Sequence, residues 1–265
     1  MRLWIGVAVG TLALGGVAQA TPTTFSAAGA ANVATEFANF QAAMGSPLNG
    51  NTPGQQPGGR RQINWDAGIV PFNMPGGFFN SPPTTRGANL TTPGTGFAVS
   101  NDGFDDEFDS LNASYPDQFT TFSPARLVAP VGSNILEINF LVAGTNVAAR
   151  TSGFGAVFTD VDLANTTMIE YFDADGVLIA SQFVLPDPQG LSFLGVAFDT
   201  VELSRARITL GTTAIGPNDN PGGGIDIVVL DDFIYSEPIP EAPALAIFVS
   251  GLVALGLVRR RRRRA

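Results

Sequence analysis

The sequence predicts an all-β fold: one antiparallel β-sandwich of jelly-roll-like form, with a short N-terminal helix and a C-terminal hydrophobic anchor helix. Three observations predict it. Short apolar runs recur through the middle of the chain, each bounded by Gly, Pro or Asn-Asp clusters. No long helical pattern separates them, so the βαβ rhythm of a parallel sheet is absent. The 265 residues include 31 Gly, 19 Pro and 20 Phe but neither Cys nor His, a turn-rich composition that folds by apolar packing without disulfides.

Taken in order, residues 1 to 20 (MRLWIGVAVGTLALGGVAQA) set one Arg before an apolar run and end in the small-x-small pattern Ala18-Gln19-Ala20. That is the form of a signal peptide handed to the Sec translocon. In residues 21 to 59, Val33, Phe37, Phe40 and Met44 are spaced by four, three and four, which places them on one face of a short helix ending at Gly45. The following SPLNGNTPGQQPGGR reads as a flexible connection.

Residues 60 to 237 are expected to form the sandwich. Leu136, Ile138, Phe140 and Val142 alternate with Glu137, Asn139 and Leu141, the pattern of a half-buried strand. Residues 168 to 185 read as a hairpin turning at Asp173-Ala-Asp-Gly176, where Gly176 supplies the positive φ. Further strands are expected at 96 to 100, 153 to 159, 191 to 198, 206 to 210 and 225 to 235.

The chain closes with Pro240-Glu241-Ala242-Pro243, an uncharged stretch from 244 to 258, and six consecutive arginines, Arg259, Arg260, Arg261, Arg262, Arg263 and Arg264. As a helix the stretch spans about 22 Å, short of the ~30 Å hydrocarbon core, and so makes a marginal membrane span. The polybasic block stays on the cytoplasmic side and puts everything before it outside. A Pro-Glu-Pro-like motif, a short hydrophobic helix and a terminal Arg cluster resemble the PEP-CTERM sorting signal, with Ala242 standing where that motif has its second Pro and the Pro displaced to Pro243. The resemblance implies processing by an exosortase in a Gram-negative bacterium and delivery to the cell surface or exopolysaccharide matrix. The middle of the chain also looks like a recurrent ectodomain of proteins with this tail, through GRRQINWDAG (59 to 68), TPGTGFAVS (92 to 100), SGFGAVFTDVDLANTT (152 to 167) and DIVVLDDFIYSEP (226 to 238).

Charge narrows the function. Residues 21 to 240 hold seven Arg, no Lys and 22 Asp plus Glu, a balance of −15, which argues against a nucleic-acid partner. Without His or Cys, Ser-His-Asp and Cys-His chemistry is excluded, and hydrolysis would need two carboxylates about 5 to 10 Å apart. Among 22 acids the sequence selects no such pair. The sequence therefore reads as a non-enzymatic exported surface or matrix protein that binds polysaccharide, the alternatives being a carbohydrate-active hydrolase or a purely structural coat component.

Two acidic groups are candidate metal ligands. Asp102, Asp105, Asp106, Glu107 and Asp109 crowd the loop SNDGFDDEFDS, which reads either as a structural Ca²⁺ site or as a solvated acidic loop. Asp231 and Asp232 are strand neighbours, so at least one is expected to face inward or towards an edge, paired or metal-bound. Trp65 and Tyr115 are the candidate aromatic platform for a sugar, with a structural role as the alternative for Trp65.

Overall fold

The computed structural model describes residues 22–101 and 107–241. Residues 1–20, expected to be a signal peptide, the apolar stretch 244–258, the six arginines, Ala242, Pro243, Asp102, Asp105 and Asp106 lie outside the described residues. Among the described residues no helix is long and apolar enough to cross a membrane.

Strand β1 (Thr23–Ala28) leads into helix α1 (Ala30–Met44), and short strands follow: β2 (Arg60–Ile63), β3 (Asn73–Met74), β4 (Ala88–Thr91), β5 (Gly96–Val99), β6 (Val128–Val131), β7 (Ile135–Phe140) and β8 (Ala149–Arg150). The long strand β9 (Gly153–Val161) precedes a hairpin of β10 (Met168–Phe172) and β11 (Leu178–Phe183), then β12 (Asp187–Ala197), β13 (Arg205–Thr209), β14 (Val229–Ser236) and β15 (Ile239–Pro240). All the strand pairings within the sheets are antiparallel.

The larger sheet runs β1-β12-β9-β14-β6-β5-β3, with β2 also paired to β14, and the smaller runs β11-β10-β13-β7-β4. Their facing sides share one apolar core, in which Phe140 of β7 lies 5.3 Å from Tyr235 of β14 and 6.1 Å from Phe154 of β9. The alternation expected in β7 is present: Leu136, Ile138 and Phe140 are buried, and Glu137 faces out to take Arg205 and Arg207 at 2.7 Å each. The hairpin turn lies where the sequence puts it, with Gly176 at φ 78°.

Strands β9 and β14 are buried at every position because the large sheet is covered on both faces. The second cover is α1, which buries Val33, Phe37, Phe40 and Met44 against Val157, Leu191, Phe193 and Ile234. Glycine permits the close approach: a Cβ on Gly195 would meet the Phe40 ring at 2.9 to 3.0 Å. Residues 23–44 therefore belong to the sandwich, and the boundary expected at residue 60 is corrected, since β1 pairs with β12 along its whole length.

The connection after α1 is also not the free linker its composition suggests. Arg61, fully buried, donates to the carbonyls of Gly50, Thr52 and Gly54 at 3.1, 2.9 and 3.2 Å and so ties the segment to the core. A buried guanidinium has five donors to satisfy, and this loop supplies three of the acceptors.

Candidate functional site

The site grows from a fault in β14. Leu230 pairs with Phe158 and Phe233 with Ala156, so Asp231 and Asp232 together oppose the single residue Val157. Such a bulge suspends the strict alternation of side chains, and both carboxyls are buried, Asp231 at 0% and Asp232 at 6% exposure. On its other edge β14 exchanges partners at the same point, from Val128 of β6 to Ile63 of β2. The loop 122–126 and Asp66 fill the gap between those partners.

Asp231 Oδ2 accepts the backbone N–H groups of Phe122 at 2.6 Å and Ser123 at 3.3 Å. Asp66 Oδ1 accepts those of Ala125 at 2.8 Å and Arg126 at 3.0 Å. The Ser123 hydroxyl stands among all three acids, 2.7 Å from Asp232 Oδ1, 3.1 Å from Asp66 Oδ2 and 3.3 Å from Asp231 Oδ1. One hydroxyl proton serves one acceptor, so three ionised carboxylates would repel in a site from which water is largely excluded. Burial, followed by the charge of Asp232, pushes Asp231 well above the carboxylate range. Burial also raises Asp232, opposed by its bonds from Ser123 and Asp231, and Asp66, opposed by its backbone donors. Burial and the neighbouring carboxyl thus favour the protonated form of Asp231, while the donors of the loop 122–126 satisfy the pair from the protein side.

Above this pair lies an open cavity of about 270 Å³ lined by Leu48, Gly50, Gln62, Asn64, Arg86 and Asp232. Strand alternation explains the lining: Arg61, Ile63 and Trp65 point into the core, while Gln62 and Asn64 point out. Arg86 is fixed across the floor by Nη1 donating to Gln62 O at 2.6 Å and Nε donating to Asn51 Oδ1 at 2.8 Å. A larger cleft of about 470 Å³, bounded by Asn73, Met74, Gly76, Thr95 and Phe97, contains no charged side chain in its lining.

Of the residues singled out from sequence, the structure gathers Asp231, Asp232 and Trp65. Trp65 is 1% exposed, donates its indole N–H to Asp231 O at 2.7 Å and meets Phe79 and Phe233 edge-on. Tyr115 is likewise enclosed, stacked on Phe119, donating its hydroxyl to Pro217 O and accepting from Gly216 N, both at 2.9 Å. The aromatic platform expected of this pair is corrected: neither ring shows a face to solvent. Glu107 and Asp109 are half-buried in the turn 107–111. Pro240 and Glu241 lie along the body, where β15 pairs with β8 and Glu241 Oε1 accepts the Ser204 hydroxyl at 3.0 Å.

Sequence reasoning passed over Gln62, Asn64, Asp66 and Arg86. For the first three a signal existed in RRQINWD, whose apolar and polar positions alternate; Arg86 carries none, because a fold contact alone brings it to the site.

No protein-family model matches the sequence and no curated protein matches it significantly. Among solved structures, a variant of CBM29-2, a family 29 carbohydrate-binding module, matches at 8% identity over 44% of this chain and 73% of its own, with a TM-score of 0.24. TmCBM61 in complex with β-1,4-galactotriose matches at 12% identity over 68% of this chain and 99% of its own, with a TM-score of 0.26. The enzymatically active domain of tailspike protein 4 of bacteriophage CBA120 matches at 13% identity over 65% of this chain and 22% of its own, with a TM-score of 0.24. Superpositions this loose say nothing of ligand or reaction, and the chemistry of the site rests on its own residues.

Proposed function

We propose that this chain is a non-enzymatic exported protein of the cell surface or exopolysaccharide matrix of a Gram-negative bacterium, whose jelly-roll-like sandwich binds polysaccharide. In this reading it reaches its place as a membrane-anchored precursor, through the Sec translocon and then an exosortase acting on the tail. The terminal segments support the route: an apolar leader with a small-x-small end, and an apolar stretch closed by six arginines.

The observation that carries the binding role is the polar cavity. Amide, guanidinium and carboxyl groups at Gln62, Asn64, Arg86 and Asp232 converge on one open space beside the apolar Leu48. Paired donors and acceptors on planar side chains suit the vicinal hydroxyls of a sugar. The volume, just under the ~300 to 1,000 Å³ of enclosed small-molecule sites, suits one unit of a longer glycan lying across an open surface.

A hydrolase is the second reading, favoured by one observation: Asp232, held above its ordinary range, lines the cavity as a general acid would. Its partner Asp231, however, touches it instead of standing across a scissile bond. Retention of the purified full-length chain on immobilised exopolysaccharides tests the two together. Retention that Arg86→Ala and Asn64→Ala weaken tenfold or more, without release of reducing ends, supports binding. Release of reducing ends that Asp232→Asn abolishes supports hydrolysis. Absence of both across a panel of acidic and neutral glycans overturns both and leaves a structural coat component.

A further inference from the structure

At the end of the sandwich where β9 runs out, a second group of acids comes together. One carboxylate oxygen each from Asp160, Asp162 and Asp219 lies within 4.8 Å of the others. Asp160 sits in β9 at φ 64° opposite a bulge of β12, where the register passes from Leu191 beside Thr159 to Asp187 beside Val161. Gln189 N, in that bulge, donates to Asp160 Oδ1 at 2.7 Å. Asp160 Oδ2 accepts no hydrogen bond although the residue is 1% exposed, and Asp219 Oδ1 is buried without a partner in the same way. A buried carboxylate oxygen left bare is costly. Two from a single group of acids mark a place built for something that is not protein.

What is missing is positive charge. The chain has no Lys, and none of the ion pairs among the described residues involves Asp160, Asp162, Asp219 or Asp226. Arg60, Arg61, Arg86, Arg126, Arg150, Arg205 and Arg207 are all engaged elsewhere. Asp226, fully buried, holds the loop that carries Asp162: its carboxylate accepts the N–H groups of Asp162 and Leu163 at 3.3 Å each and the Thr166 hydroxyl at 2.5 Å. Its donors make it a support for the site and leave the three outer acids to face one another.

We propose that Asp160, Asp162 and Asp219 bind a calcium ion, which ties the end of β9 to the loop between β13 and β14. Three hard oxygen donors, in a chain without His or Cys to offer a softer ligand, select a hard cation. Ligands on opposite sides of Ca²⁺ stand about 4.6 to 5.2 Å apart, twice the usual 2.3 to 2.6 Å, and the 4.8 Å spread of the three oxygens fits within that. Three carboxylates, one in β9, one just beyond it and one in the β13–β14 loop, leave the rest of the shell to carbonyls and water, as in sites with Kd of about 10⁻⁴ to 10⁻³ M. Without the ion, burial raises Asp160 to about 7 and raises Asp219 as well, each further raised by the neighbouring acids, the repulsion a cation would relieve. The site shares no residue with the Arg86 cavity and stands or falls apart from glycan binding.

Calorimetric titration of the EDTA-stripped full-length chain with CaCl₂, and in parallel with MgCl₂, tests the proposal, together with the melting temperature in each salt. One Ca²⁺ per chain, weaker Mg²⁺ and a rise of several degrees in 10 mM CaCl₂ are expected. Asp162→Asn and Asp219→Asn each lose at least tenfold in Ca²⁺ affinity. In EDTA they melt no lower than the unaltered chain, because the substitution removes repulsion. That opposite pair of effects separates a ligand from a merely structural acid, and a melting transition in EDTA shows that each variant is folded. Absence of both heat and thermal shift in the unaltered chain overturns the proposal, as does Ca²⁺ binding that both variants leave intact.

Discussion

The guanidinium of Arg61 grips both carboxylate oxygens of Glu237, Nε to Oε2 at 2.7 Å and Nη2 to Oε1 at 2.8 Å, with both side chains almost wholly buried. The pair joins the first strand beyond the glycine-rich segment to the residue that follows β14. Glu237 also accepts Asn49 Nδ2 at 2.8 Å and Gln56 N at 3.1 Å, so one ion pair anchors three stretches of chain. Glu237→Ala leaves the Arg61 charge buried without its partner and is expected to cost about 3 to 5 kcal/mol. Urea unfolding measures it, and a cost below about 1 kcal/mol would show that the pair does not organise the loop.

Stability should fall with rising pH through the Asp231–Asp232 pair. Both acids stand above the ordinary 3.8 in the folded state, burial being the first cause. The folded chain therefore binds a proton at this pair more tightly than the unfolded one, and this contribution is fully present below pH ~4 and drains away as pH rises through the raised values. Asp231→Asn keeps a donor to Asp232 without a titrating proton. Its unfolding free energy should change less between pH 4 and 8 than that of the unaltered chain, and equal slopes would contradict a proton held by the pair.

Gly195→Ala should destabilise by about 1 to 3 kcal/mol, because the new methyl meets the Phe40 ring at 2.9 to 3.0 Å. Combining it with Phe40→Leu should cost less than the sum of the two changes. Additive costs in thermal unfolding would show that α1 does not press on the sheet at this point.

Trp65→Phe keeps an aromatic edge towards Phe79 and Phe233 but leaves Asp231 O without its indole donor. The expected loss is about 1 to 3 kcal/mol in denaturant unfolding. Because the ring is enclosed, glycan retention at 25 °C should be unchanged. A selective loss of retention would place Trp65 in the proposed glycan-binding role after all.

The elements best read from sequence are those whose own pattern settles them. Leu136, Ile138 and Phe140 alternate within one strand, and Val33, Phe37, Phe40 and Met44 line one helical face, so local periodicity sufficed. Strand β1 escaped because TTFSAA offers a single large apolar residue, and its place is set by pairing with β12. The segment 46–59 read as flexible because composition cannot reveal a guanidinium waiting for its carbonyls. At the candidate site, alternation placed at least one of Asp231 and Asp232 inward or towards an edge; that both carboxyls are buried follows from a bulge, which exists only between strands. Asp160 and Asp162 were hidden as the end of a strand, and Asp219 is more than fifty residues away.

Ile239 and Pro240 lie against Arg150 and Ala149, Glu241 N donates to Ala148 O at 3.1 Å, and Arg150 stands 3.8 Å from the Glu241 carboxylate. If the proposed sorting route holds, an enzyme that reads Pro240 and Glu241 in extended form must first unzip this two-rung strip. The strip is short and its ion pair is partly solvated, so detachment takes little energy. Under the export route proposed above, residues 239–241 act as a latch, and processing of the sorting motif would be timed by how often that latch springs open.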